Sequence, residues 1–201
     1  MQNSKKRYKF ETSKNNYFFI MLIKEQKEDA ILTINKWVET IIIGLNLCPF
    51  AKTPLQKNEI KFVVANEKNM KSFIEFFVDE ILFLEENTTI ETTLIIIPAF
   101  GNMEQFQTFT RFCEETIQLN EWTSQYQIVS FHPFMRFDGF EHDSPRNLTA
   151  MAPFPILHIL RTPSVENLGA VLSKDVQIEN DKKLQKMTKK EMLALWTKVV
   201  S

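Results

Sequence analysis

The run "TTLIIIPAF", Thr92 to Phe100, constrains this chain more than any other stretch. A strand with one solvated face alternates apolar and polar side chains. This one is apolar at nearly every position and is bounded by Pro98 and Gly101. Such a strand must be covered on both faces, so the fold needs a sheet with helices above and below it. "YQIVSF" (Tyr126 to Phe131), "FPILHIL" (Phe154 to Leu160) and the β-branched "IKFVVA" (Ile60 to Ala65) read as its companion strands.

The intervening segments carry helical periodicity. From Glu25, the stripe Ile31, Ile34, Val38, Ile41, Ile42 and Leu45 predicts an amphipathic helix. It is expected to end near Leu47, because Gly44 weakens its last turn and Pro49 prevents continuation. Asn69 is placed to cap a helix striped by Phe73, Phe77, Ile81 and Leu84, and a third carries Phe106, Phe109, Cys113 and Ile117. Thr162, Pro163 and Glu166 mark another helix start, and Thr188-x-x-Glu191 forms a capping box for a last helix carrying Leu195, Trp196 and Val199. The prediction is an α/β domain, with α+β as its variant: a mixed sheet of about four strands packed with four to five helices. With 201 residues, one domain over 25–201 is expected. Residues 1–24 are polar and lack a helical period, and read as a flexible or non-native extension, with Met21 as an alternative start.

Composition removes several function classes. With 24 basic against 25 acidic side chains, the formal charge of -1 exerts no global pull toward nucleic acid or membrane, and neither is an expected partner. Four glycines leave no GxGxxG or GxxxxGK[ST] pattern, and neither GxSxG nor HExxH occurs. Cys48 and Cys113 form no CxxC pair, which argues against a disulfide scaffold or structural zinc. The apolar run "YFFIMLI" is only seven residues long and is followed at once by "KEQKED", so neither a signal peptide nor a membrane span is expected. A cytoplasmic location follows as the expectation. No cofactor, metal or oligomeric state is assigned.

Chemistry, if present, concentrates between Ser130 and Arg161, where all three histidines lie: His132, His142 and His158. His132 stands at a strand end before Pro133, a position where ligands often meet α/β sheets. His158 interrupts an aliphatic strand, and an imidazole there is costly unless its nitrogens are served. Each has a plain structural alternative, a histidine bonded to nearby backbone. Their linker carries Arg136, Asp138, Asp143, Arg146 and Asn147, anchored by several phenylalanines. His132, His158, Cys48 and Asp143 are the candidate catalytic residues. Arg136, Arg161, Asn147 and Lys52 are the candidate substrate-binding residues. All require distant segments to meet around one hollow.

Three of these stretches, "IGLNLCPFAK" (Ile43 to Lys52), "SFHPFMRFDG" (Ser130 to Gly139) and "DSPRNLTAMAPFPILHILR" (Asp143 to Arg161), resemble an uncharacterised bacterial family, the domain of unknown function 1415. The resemblance spans roughly Ala30 to Val176. In the family the third stretch runs closer to D-x-x-x-N-x-T-N-R-S-P-Y-P-x-L-H-L-L-R. Asp143, Asn147, Thr149, Pro153, Pro155, His158 and Arg161 fit it, whereas Ala150, Met151 and Ala152 replace the N-R-S portion. The resemblance implies that an arginine and a serine of the family are missing here, so that Arg146 substitutes or the activity is altered. It supplies no reaction. The combined expectation is a small-molecule enzyme acting on an anionic substrate through histidine acid/base or metal-ligand chemistry. The alternative is a binding or scaffold protein whose polar cluster is structural.

Overall fold

The computed structural model describes residues 27–67, 69–169 and 173–201; the expected extension at 1–24 and its alternative start lie outside them. Four strands form one mixed sheet: β1 (Ile60–Val64), β2 (Thr92–Ile96), β3 (Tyr126–Phe131) and β4 (Ile156–Arg161), in the order β1-β2-β4-β3. β1 and β2 are parallel, while β4 runs antiparallel to both β2 and β3. Seven α-helices are described: α1 (Lys27–Trp37), α2 (Lys52–Gln56), α3 (Met70–Glu86), α4 (Met103–Leu119), α5 (Thr162–Gly169), α6 (Ser173–Gln185) and α7 (Lys189–Val200). The mixed four-stranded sheet agrees with the α/β expectation. The two helices without a named counterpart are α2, a single short turn, and α6, whose "SKDVQIENDKKLQ" offers too few apolar residues for a stripe.

β2 lies inside the sheet and is buried at every position, as its unbroken apolar run requires. On one face Val64, Leu94, Ile96 and Ile156 pack against Ile34, Trp37 and Ile41, and against Met192, Trp196 and Val199 of α7. On the other, Ile95, Ile97, Leu157 and Ile159 meet Phe73, Phe77 and Ile81 of α3 and Phe106, Phe109 and Cys113 of α4. The stripes read from the sequence are the buried faces of these helices. Asn69 accepts from the Ser72 backbone N–H at 3.0 Å, and Thr188 and Glu191 complete the capping box of α7.

The first helix departs from its expected form. α1 stops being α-helical at Trp37 and continues as a π-helical turn, Val38–Ile43, closed by the Gly44 N–H donating to the Glu39 carbonyl at 2.9 Å. One extra residue in the turn rotates the rest of the helix, so Trp37, Val38, Ile41 and Ile42 all face inward. The chain then turns through Asn46, at φ 50°, a left-handed conformation asparagine tolerates. That turn delivers Cys48. It is held from α6, where Asn180 donates to the Leu47 carbonyl at 2.8 Å and the Lys183 ammonium donates to the carbonyls of Leu45 and Asn46.

Candidate functional site

The π-helical turn, the Leu47–Pro54 segment and one face of the sheet line a cavity of about 610 Å³. This is within the size range of small-molecule sites. Its walls are mainly apolar, with Trp37, Val38 and Ile42 on one side and Leu94, Phe131 and Leu160 of the sheet on another. Cys48, Thr92, Thr149, His158 and Ser164 are among the few polar residues along it. Among the described residues, Glu59 and Glu91 are the only charged ones that line it.

His158 belongs to this cavity because of register. On β4 it faces the same way as Ile156 and Leu160, and it stands opposite Leu94 of β2 and Val129 of β3. Its Nε2 lies 2.6 Å from Thr92 Oγ1, and that hydroxyl lies 2.5 Å from the Ile159 carbonyl oxygen. A hydroxyl has one proton to give. The carbonyl can only accept, so Thr92 donates to it and accepts from an Nε2–H of His158. The tautomer is thereby fixed, and Nδ1 is left as the lone-pair nitrogen. Burial lowers the His158 pKa from 6.5 to about 4, so the ring is neutral at pH 7.

His132 lies on the opposite face. Phe131, one residue earlier, lines the cavity and packs edge-on against Trp37 at 5.3 Å, so strand alternation turns His132 toward α4. There it is fully buried beside the Phe106 ring, centroids 5.1 Å apart. Its Nδ1 accepts from the Phe134 N–H at 3.1 Å, and its Nε2 reaches the Phe100 carbonyl at 3.4 Å. Both nitrogens are thus occupied by backbone. Burial, opposed in part by the carbonyls of Phe100 and Gly101, lowers its pKa to about 4. The expected meeting of His132 with His158 around one hollow does not occur, and this spatial expectation is corrected.

The other candidates divide in the same way. Cys48 and His158 share the cavity. Asp143 is ion-paired with Lys189 at 2.5 Å. Asn147 is fully buried and fastens the linker: Oδ1 accepts from the Phe137 N–H at 3.1 Å, and Nδ2 donates to the carbonyls of Glu141 and His142 at 2.8 and 3.2 Å. That fastening, with a 3-10 turn over Pro145–Thr149, explains how a long connection stays ordered. Arg161 points to the α3 side of the sheet and donates to the carbonyls of Leu84, Asn87 and Ile90. Arg136 and Lys52 are exposed, and neither lines the cavity. His142 is half-buried near the Phe134 ring, centroids 5.7 Å apart. Thr92, Asn180 and Lys183 escaped the sequence reading. Thr92 carried a faint signal as a hydroxyl at the head of an apolar strand, while nothing local marked the α6 residues that hold the Cys48 turn.

A family model described as "Protein of unknown function (DUF1415)" matches residues 29–194, most of the chain and all of the cavity's walls. The chain belongs to that family. No curated protein and no solved structure matches it. In this DUF1415 member Ala150 is buried, and Met151 and Ala152 belong to the apolar layer that also holds Leu148 and Ile156. Arg146, the candidate substitute for the family's arginine, is committed elsewhere: it makes a two-pronged pair with Asp181 of α6 at 2.6 Å and lies over the Phe140 ring at 4.2 Å. Among the described residues, no group of three or more His, Cys, Asp or Glu side chains is arranged to hold a metal ion. No described helix is long and apolar enough to cross a membrane.

Proposed function

We propose that this protein is a small-molecule enzyme in which Cys48 is the nucleophile and His158 its general base. One observation carries the reading: a thiol and an imidazole with an unprotonated nitrogen, from distant segments, line the same largely apolar cavity. In the proposed step the Cys48 thiol passes its proton to Nδ1 of His158, and the thiolate then adds to an electrophilic carbonyl carbon of the substrate, whose π-bond pair moves to oxygen and takes the proton back from the imidazolium. Thr92 holds the imidazole in the required tautomer by accepting from Nε2–H, the orienting role that a third group plays in such arrangements. The thiolate compensates the charge of the imidazolium, which burial alone disfavours.

The test needs no knowledge of the substrate. N-ethylmaleimide is uncharged, and its addition to each thiol can be followed by mass spectrometry. Cys48 is expected to react in the folded protein, whereas Cys113, fully buried on α4, reacts only after denaturation. His158→Gln should slow alkylation of Cys48 by at least about tenfold, a conservative figure for loss of a general base. An unchanged rate in a variant with native circular dichroism would reject the dyad.

The second reading is a binding protein without chemistry. It is favoured by the commitment of His132, Asn147, Arg146 and Arg161 to backbone carbonyls, amides and an ion pair. On that reading His158 is only a polar anchor, and the Cys48 rate is indifferent to it.

A further inference from the structure

We infer that the molecule taken by this cavity is an uncharged, largely apolar compound whose one polar end carries a hydrogen-bond donor, such as an amide N–H or a hydroxyl, at the His158–Thr92 pair, with no carboxylate or phosphate. The inference rests on the reading that this cavity is the working site, and it replaces the anionic substrate expected from the sequence.

The lining decides the sign of charge. A carboxylate moved into an apolar enclosure loses its hydration and must be repaid by a cation or several donors. Among the described residues lining the cavity there is no lysine and no arginine, and the charged ones, Glu59 and Glu91, carry the wrong sign. Arg161 and Arg146 are turned away and occupied. His158 is neutral at pH 7 and presents a lone pair, which repels an anionic oxygen. The Thr92 proton is spent on the Ile159 carbonyl. The cavity therefore offers ample contact for a hydrocarbon body and one strong acceptor for a polar end. Lys52 is the nearest cation in sequence, between Ala51 and Thr53 of the wall, but its side chain is exposed on α2.

Three probes with one eight-carbon tail separate the possibilities: 1-octanol, octanoate and octyl phosphate, titrated into the full chain by calorimetry at pH 7.5. Octanol is expected to bind, and both anions at least about tenfold more weakly, the cost of an uncompensated buried charge. Val129→Trp fills the mouth from a side chain that is 40% exposed, so the variant should still fold; it should abolish octanol binding. His158→Phe should weaken it. Failure of octanol to bind, or octanol binding unaffected by Val129→Trp, would overturn the inference. So would octanoate binding as tightly as octanol, whether or not Lys52→Ala then removes it. These results are independent of the maleimide rates: a His158-dependent Cys48 with strong octanoate binding leaves the dyad standing and removes only the ligand class.

Discussion

At the scale of single residues, His158 and His132 show how the same side chain, equally shifted, serves different ends. Both have pKa values lowered to about 4, chiefly by burial, but one has a spare nitrogen in a cavity and the other has none. The common consequence is a pH dependence of stability. An unfolded chain protonates these rings near 6.5, whereas the folded chain does so near 4. Between those values the unfolded state binds more protons, so stability falls as pH drops from about 6.5 to about 4. Above pH 7 both rings are neutral in either state, and they add no slope. His142 is shifted in the same direction, again chiefly by burial. Urea midpoints measured at pH 7.5 and pH 5 should differ in this sense, and His132→Phe should reduce the difference. A larger difference in the variant would contradict the assignment.

At the scale of elements, the π-helical turn is the least regular piece of the fold and the one that shapes the cavity wall. Gly44 makes it feasible. A Cβ at that position would lie 2.3 Å from the Thr40 carbonyl oxygen, a backbone atom that cannot swing aside. Gly44→Ala should therefore cost about 1–3 kcal/mol, the usual scale of an overpacked site. It should also disturb the ends of the turn that carry Trp37 and Cys48. Denaturant unfolding measures the first effect, and the accessibility of Cys48 to maleimide the second. Wild-type stability in the variant would show that the turn relaxes freely. The sequence displayed this glycine and the proline after it, and an α-helical stop was the natural inference. The extra residue in the turn left no mark, because Val38, Ile41 and Ile42 fit an α-helical stripe as well as they fit the observed one.

At the scale of the whole molecule, most of the architecture was legible because apolar runs and stripes report burial directly. Thr92–Ile96 had to be internal, and Phe73, Phe77 and Ile81 had to face a core. Sidedness was not legible. Alternation along β3 correctly groups His132 with Tyr126 and Ile128, and alternation along β4 groups His158 with Ile156 and Leu160. Which of those groups share a face depends on the pairing of Val129 with His158 across the ladder. A slip of one residue would exchange the answers, and no local pattern records it. The candidate site was half visible for the same reason: Cys48 and His158 were named, their distant supports Thr92 and Asn180 were not.

One consequence of the Arg161 clamp reaches beyond its own neighbourhood. Because that guanidinium gathers the carbonyls at the end of α3 from the last residue of β4, the helix cannot fray there while the strand stays in place. Amide hydrogens at the close of α3 should exchange with deuterium as slowly as those of β4, in one cooperative opening. Arg161→Ala should release the helix end to exchange ahead of the strand.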